Sequence, residues 1–246
     1  MPSSLQVDIY VAPAIRAETG LEEPSKQLWS PICCTLIQGP TLAVLVDTPT
    51  PVELAQGLFE WVKKTAPGKK LRYIYTIHAH GDHFYGNPVL KNFPEAKCVA
   101  TSFVNQGIEK AVSKENCPES LPANGEFSID GYSFFGIDVT FSDTNYSSFL
   151  HMPAIDLVVA GDIACTAEKR RHWLDALSQI TQLKPSMVIP GHKRASQDAL
   201  KKWNDPAKVE ESMKKRYPAR WNDFILDRSY MASVAEKLQA NEKAPI

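Results

Sequence analysis

The segment His78-Ala79-His80-Gly81-Asp82-His83 places four side chains of metal-binding type within six residues, directly after an apolar stretch. On an extended backbone His78 and His80 point to the same side, and the glycine that follows permits a turn that brings Asp82 and His83 toward them. Imidazole nitrogens and carboxylate oxygens are the usual ligands of zinc in proteins. We therefore interpret the segment as a zinc-ligand cluster at the end of a strand, and a polar turn that merely contains histidines is the weaker alternative.

Two later polar residues also follow apolar strand patterns. Asp162 ends the run Val159-Ala160-Gly161-Asp162, and His192 ends the run Ile189-Pro190-Gly191-His192. In layered α/β structures the residues that follow neighbouring strands gather at one edge of the sheets. We expect both side chains to lie at the same rim as the histidine segment.

The pattern His-x-His-x-Asp-His, a later Gly-Asp and a still later Pro-Gly-His resembles the metallo-β-lactamase-fold superfamily over residues 7–192. The resemblance implies an α/β fold, a four-layer αββα sandwich of two mixed β-sheets with helices on the outer faces, and a site for one or two zinc ions. It places His78 and His80 on the first metal, and it places Asp82, His83 and His192 on the second metal, with Asp162 as the bridge.

Two aspartates receive further roles from this resemblance. Asp47, in Leu45-Val46-Asp47-Thr48, is similar to an aspartate that follows an early strand in the superfamily, and we expect it to support a ligand from behind. Asp82 is expected to take part in catalysis as well as in ligation.

One position departs from the superfamily pattern. A further histidine on the first metal is usual in the loop before the strand expected at 147–152, and this chain has none there. The ligand position falls on Asp143, whose carboxylate can bind zinc, or on Phe141, which cannot, and we favour Asp143 on the chemistry of the side chain. His151 follows the apolar pair Phe149-Leu150, and we expect it to pack or to support a ligand rather than to bind the metal.

Apolar and β-branched runs predict strands on both sides of the histidine segment. The expected strands are 7–12, 32–38, 42–46, 72–77, 126–129, 132–141, 147–152, 157–160 and 187–190. Thr50, Pro51 and Glu53 match the N-cap, N1 and N3 positions of a capping box, which predicts a helix start. Further helices are expected near 103–112 and around Trp173. We assign 1–200 to a catalytic domain and 201–246 to a helical extension packed on it, with a homodimer contact or a lid as alternative uses.

Composition restricts the classes of partner. Hydrophobic residues make up 43% of the chain, charged residues 22%, and the formal net charge is -1, which gives no electrostatic reason to expect nucleic acid or a membrane. Five scattered cysteines indicate reduced thiols, and the first residues show no export signal. We expect a cytoplasmic protein that acts on a small-molecule substrate.

The expected reaction follows from the metal chemistry. Zinc lowers the pKa of bound water from near 16 to about 7, which supplies hydroxide for attack on a carbonyl carbon. The resemblance extends to enzymes that hydrolyse lactams, lactones, thioesters and phosphodiesters. We favour a small cyclic amide or ester, with a benzoxazolinone-type ring as one specific substrate. A thioesterase of the glyoxalase II or acyl-carrier type is the alternative enzyme, and a metal-binding fold without catalysis is the alternative of another class.

Overall fold

Two β-sheets contain most of the strands in the computed structural model, which describes residues 5–13, 15–16, 28–29, 32–139, 145–162 and 170–192. In chain order the strands are β1 (Gln6–Val11), β2 (Ile15–Arg16), β3 (Leu28–Trp29), β4 (Cys33–Gln38), β5 (Leu42–Val46), β6 (Lys70–Tyr75), β7 (Lys97–Ala100), β8 (Glu119–Ser120), β9 (Glu126–Ile129), β10 (Tyr132–Val139), β11 (Ser147–Met152), β12 (Leu157–Gly161) and β13 (Met187–Pro190). The helices are α1 (Val52–Thr65), α2 (Gly81–Phe84), α3 (Asn87–Leu90), α4 (Ser102–Ile108) and α5 (Arg170–Gln182), with 3₁₀ turns at Lys114–Asn116 and Pro153–Ile155.

Both large sheets are mixed. The first has the order β1-β4-β5-β6-β7-β8, and its strands from β5 to β8 run parallel. The second has the order β13-β12-β11-β10-β9, in which β12 and β13 are parallel and the other pairs are antiparallel. A separate two-stranded sheet pairs β2 with β3.

Side chains alternate between the two faces of each strand, so the buried apolar residues form three layers: one between the sheets and one on the outer face of each sheet. Ile37, Val44 and Tyr75 of the first sheet meet Phe134 and Val159 of the second in a core between the sheets. The opposite face of the first sheet packs against α1, and the opposite face of the second packs against α5. The predicted αββα sandwich is confirmed.

The sequence predictions differ from the structure at two points near the site. The helix α1 has Pro51 as its N-cap, without a side-chain cap, and the Pro51 carbonyl accepts hydrogen bonds from Leu54 and Ala55. The predicted capping box at Thr50 is therefore wrong, because the helical hydrogen bonds begin one residue later. The fourth predicted strand, 72–77, is observed as Lys70–Tyr75, so its last two residues already belong to the segment that leads to the histidines.

Part of the expected domain organisation falls beyond these ranges. The predicted helical extension 201–246, with its homodimer or lid role, lies outside the described residues. Within the described ranges no helix is long and apolar enough to cross a membrane.

The two sheets are joined at one end by Asp130. This residue and Gly131 form the two-residue turn between β9 and β10, and both have positive φ (48° and 82°), as a type I′ turn requires. The Asp130 carboxylate accepts hydrogen bonds from Thr41 N at 2.9 Å, Thr41 Oγ1 at 2.6 Å and Leu42 N at 2.9 Å, at the start of β5. Burial acts to raise the pKa of Asp130, but these hydrogen bonds outweigh it and leave the pKa lowered.

We expect Asp130→Ala to reduce the free energy of unfolding by about 1–2 kcal/mol at pH 7, since three hydrogen bonds to a partly exposed carboxylate are lost. Asp130→Asn, which keeps an uncharged acceptor, should lie between wild type and the alanine variant. Because the folded pKa is lowered, the contribution is present above about pH 4 and is lost as the pH falls through the folded value. Urea unfolding in steps from pH 7 to pH 2 measures this, and a wild-type advantage that stays constant over the whole range would contradict the assignment to the carboxylate.

Candidate metal centre

The candidate ligands follow the ends of strands from both sheets. The chain leaves β6 and reaches His78, which forms an isolated antiparallel bridge with Ser147 at the start of β11. Asp162 follows β12, and His192, shortly after β13, forms an isolated bridge with Ile32. The common rim predicted from the sequence is therefore observed, with ligands contributed by both layers of the sandwich.

His83 is held from behind by Asp47. The His83 Nδ1–H donates a hydrogen bond of 2.8 Å to Asp47 Oδ2, and the other oxygen, Oδ1, accepts one of 2.9 Å from Ile77 N. Asp47 adopts φ 63°, and its own backbone N donates to the Tyr75 carbonyl. Since Nδ1 carries the proton, the free lone pair of His83 is on Nε2, which faces the other ligands. This is the contact expected for Asp47.

A second buried network holds the backbone of His83. Thr48 N donates to the His83 carbonyl at 3.0 Å, and Thr48 Oγ1 lies 3.1 Å from Asn87 Oδ1. Asn87 Nδ2 in turn lies 3.4 Å from Thr76 Oγ1, and all three of these polar side chains are buried. Sequence reasoning missed Thr48 and Asn87. The available signal was weak: Thr48 adjoins Asp47, and Asn87 lies four residues after His83.

Four donor atoms, which belong to two overlapping groups of candidate ligands, lie close together. His83 Nε2 and His192 Nε2 are 3.3 Å apart, and His192 Nε2 lies 3.1 Å from Asp162 Oδ2 and 3.4 Å from Asp82 Oδ2. His83 Nε2 lies 3.8 Å from Asp162 Oδ2 and 4.0 Å from Asp82 Oδ2. Ligand atoms of tetrahedral zinc, each about 2.1 Å from the metal, are roughly 3.4 Å apart. The donor set and its spacing therefore fit zinc.

The structure divides the ligands differently from the sequence assignment. The group Asp82, His83 and His192 has ligand atoms within 4.8 Å of one another, as assigned to the second metal. A second group contains His78, His83 and Asp162, and His80 is in neither group, so its assignment to the first metal stays a prediction. The side chain of His80 is exposed, and its ring centroid lies 4.9 Å from that of His78. His80 is thus beside the cluster, at its solvent side.

Two glycines near the candidate ligands lie where a Cβ atom would clash with a neighbouring side chain. A Cβ at Gly191 would lie 2.5 Å from Asp162 Oδ1, so the glycine before His192 permits the two ligand segments to approach each other. The turn expected at Gly81 is the first turn of α2, which has His80 as its N-cap and needs no positive φ at the glycine. A Cβ at Gly81 would overlap the exposed ring of Tyr85, which would have to move to accept it.

The electrostatics of the cluster favour a cation. Burial raises the pKa of Asp47, with the neighbouring His83 opposing the shift. Burial acts to lower the pKa of His83, but the carboxylates of Asp47 and Asp162 outweigh it and hold that pKa well above its usual value. Burial also acts to lower the pKa of His192, and Asp162 and Asp82 nevertheless raise it to about 9. The buried carboxylates thus stabilise positive charge, which protons or a metal ion can supply.

The predictions for Asp143 and His151 have different outcomes. Asp143 and its alternative Phe141 are outside the described residues, so the choice between them stays a prediction. His151 lies four residues after Ser147 on β11, about 13 Å along the strand, and its ring is 6.4 Å from that of Phe135. Within the described ranges no contact links His151 to the candidate ligands, so its supporting role stays a prediction.

Comparison with solved structures identifies the fold. A metallo-β-lactamase from Pontibacter korlensis is 16% identical, with 77% of this chain and 92% of that chain covered and a TM-score of 0.60. A metallo-β-lactamase from Hirschia baltica is 15% identical, with 80% and 91% covered and a TM-score of 0.58. The metallo-β-lactamase FIM-1 from Pseudomonas aeruginosa, in its mono-zinc form, is 15% identical, with 94% and 93% covered and a TM-score of 0.57.

No family model and no curated protein matches the sequence. The similarity lies in the arrangement of the sheets rather than in overall identity. The two mixed sheets and the ligand rim at their ends show that the chain has the metallo-β-lactamase fold.

Proposed function

We propose that the protein is a zinc-dependent hydrolase of small acyl compounds. The observation that carries this proposal is the proximity of His83 Nε2, His192 Nε2, Asp82 Oδ2 and Asp162 Oδ2, since five of their six pairs are 3.1 to 4.0 Å apart. Two imidazoles and two carboxylates in such an arrangement are a donor set suited to zinc rather than to magnesium or calcium, which prefer oxygen ligands.

The residues divide into ligands and supports. Asp82, His83 and His192 form one group that would hold a zinc ion, and His78, His83 and Asp162 form an overlapping group for the same or a second ion. Zinc in such a site supplies a Lewis acid for a substrate oxygen and acidifies bound water. Asp47 keeps the His83 ring in the tautomer and orientation that ligation needs.

Asp82 is the residue we assign to proton transfer. It is 8% exposed, slightly more than Asp162 at 6%, and we therefore assign its carboxylate to the substrate side of the cluster. A carboxylate in this position can accept a proton from attacking water and return it to the nitrogen, oxygen or sulfur that leaves. The same residue therefore serves as ligand and as general base and acid.

The substrate we favour is a small cyclic amide or ester, with a benzoxazolinone-type ring as one specific member. The similar solved structures named above are metallo-β-lactamases, and a β-lactam is a cyclic amide.

A panel of lactams, lactones, acyl thioesters and phosphodiesters, each with and without chelator, tests the substrate class. Turnover of a lactam or lactone that stops with chelator and returns with zinc supports the proposal. Preference for thioesters would indicate the alternative enzyme, and stoichiometric zinc without turnover of any member would indicate a binding role.

The purified protein is expected to carry one to two equivalents of zinc. Replacing His83 or His192 with alanine removes a ligand and leaves a poorly held ion, so both zinc and activity should fall to near zero. Elemental analysis measures the metal content. The matched control is His151→Ala, which removes a histidine about 13 Å along β11 from Ser147 and should keep the wild-type zinc content. Full zinc content in His83→Ala would contradict the ligand assignment, and zinc loss in His151→Ala would restore its predicted supporting role.

Asp47→Ala is expected to weaken zinc binding by about 10- to 100-fold, since the His83 ring loses the partner that fixes its tautomer. Competition with a chromophoric chelator measures the affinity. Asp47→Asn retains an acceptor for only one of the two donors, His83 Nδ1–H or Ile77 N–H, and should fall between wild type and Asp47→Ala. An unchanged affinity in the alanine variant would show that the contact is structural only.

The zinc content of variants also tests whether Asp143 is a ligand of the first metal. If Asp143 binds the first metal, Asp143→Ala should lower the zinc content by about one equivalent while the second site stays filled, and Asp143→His should be tolerated. Elemental analysis of both variants decides between the assignments. An unchanged zinc content in Asp143→Ala would favour the alignment that places Phe141 at the ligand position.

A further inference from the structure

We propose that Tyr85 is a specificity-determining residue, whose exposed ring beside Gly81 forms a platform for a planar, aromatic part of the substrate. The inference rests on the proposed function for the identity of the reaction, and it adds the chemical class of the group that the site selects. Its support comes from the packing of the ring, from its exposure and from its neighbours in the ligand segment.

The ring of Tyr85 lies directly over the backbone between two candidate ligands. A Cβ built on Gly81 would be 2.3 Å from Tyr85 Cε2, 2.6 Å from Cδ2 and 2.9 Å from Cζ. Any residue other than glycine at this position would therefore push the ring away. Gly81 lies between His80 and Asp82, so the ring covers the backbone next to a candidate ligand.

The position of Tyr85 is fixed by the short helix α2. Its backbone N donates to the Gly81 carbonyl at 2.8 Å, and its φ and ψ are helical (-64° and -17°). In helical geometry the residues three and four positions apart are neighbours on the surface, which places Tyr85 beside Asp82 and Gly81. Phe84 contacts the Tyr85 ring edge to face, with centroids 4.7 Å apart.

Exposure distinguishes Tyr85 from the other apolar residues of the segment. Of residues 78–86 only His80 and Tyr85 are exposed, and Tyr85 retains 49% of its accessible surface. About half of the residue's surface is thus covered by the protein, and the rest is open to solvent. A ligand site combines a few polar groups with apolar walls, and the polar groups here are the buried ligands.

A flat ring held in place on one side favours stacking by another flat ring. Offset stacking of aromatic rings contributes about 0.5–1.5 kcal/mol beyond area burial, which corresponds to roughly two- to tenfold in affinity. An aliphatic ring of similar size buries apolar area but gains less from this geometry. Tyr85 should therefore favour an aryl-fused lactone or lactam over its aliphatic counterpart.

The test compares two lactones that differ in a fused benzene ring, dihydrocoumarin and δ-valerolactone, on the zinc-loaded full chain. Tyr85→Leu removes the aromatic plane and should raise KM for dihydrocoumarin by roughly three- to tenfold, with a change of less than about twofold for δ-valerolactone and in kcat. Tyr85→Phe should match wild type, and Tyr85→Trp should lower KM for dihydrocoumarin. Ile9→Ala is the control, since it removes an apolar side chain of similar exposure, 47%, on β1.

A second measurement does not depend on turnover. Binding of dihydrocoumarin to the zinc-free protein, followed by ligand-observed NMR, should weaken in Tyr85→Leu and stay unchanged in Tyr85→Phe and Ile9→Ala. Equal effects of Tyr85→Leu on both lactones, or unchanged binding, would overturn the inference while leaving the hydrolase proposal intact. The protein could instead bind dihydrocoumarin in a Tyr85-dependent way and yet hydrolyse no member of the substrate panel. That result would support the role of Tyr85 in binding and overturn the proposed function.

Discussion

The carboxylate of Asp47 is the contact on which the geometry of the rim depends. One oxygen accepts from Ile77 N and the other from His83 Nδ1, while its own backbone N donates to Tyr75. The residue therefore joins the end of β5 to the segment after β6 and to α2. Because Asp47 is 1% exposed and has a left-handed backbone, few other side chains could replace it without loss of one of these bonds.

Burial makes this arrangement costly unless positive charge balances it. Asp47, Asp82 and Asp162 lie among His78, His83 and His192, and all six are less than 9% exposed. Buried carboxylates without partners would be strongly destabilising, and the raised pKa values of His83 and His192 show how the protein supplies positive charge through protons. A divalent cation provides the same compensation with better geometry, which is the physical reason for the zinc proposal.

Much of the fold was predictable because local patterns decide it. The strands 42–46, 126–129, 147–152 and 187–190 were predicted with the observed bounds, since each is a short apolar or alternating run between clear turns. The strand β7 was missed, since Lys97–Ala100 has four residues and no alternation of polar and apolar side chains. The parallel neighbours that bury it are distant in sequence and leave no local signal.

The sequence predicted which residues form the site better than it predicted how those residues are arranged. The motif identified the members of both candidate metal groups and the resemblance identified Asp47, whereas His80 belongs to neither group and is the exposed N-cap of α2, so its ligation stays a prediction. The support of His83 by Thr48 and Asn87 depends on a contact between β5 and α3 across nearly forty positions of the chain. Such contacts are set by tertiary packing and could not be read from residue types.

The two ends of the sandwich are closed by different chemistry, and this links the site to the stability of the fold. At one end Asp130 of the second sheet bonds to Thr41 and Leu42 of the first. At the other end Asp82 and His83, which follow the first sheet, face Asp162 and His192, which follow the second. An ion held by both pairs would add a cross-link to the backbone hydrogen bonds that already join the sheets at this rim, such as those from Ser148 N to the Ile77 carbonyl and from Cys33 N to the Gly191 carbonyl. Metal affinity and resistance to unfolding should therefore be coupled, because separating the sheets at this rim requires the ligand set to come apart.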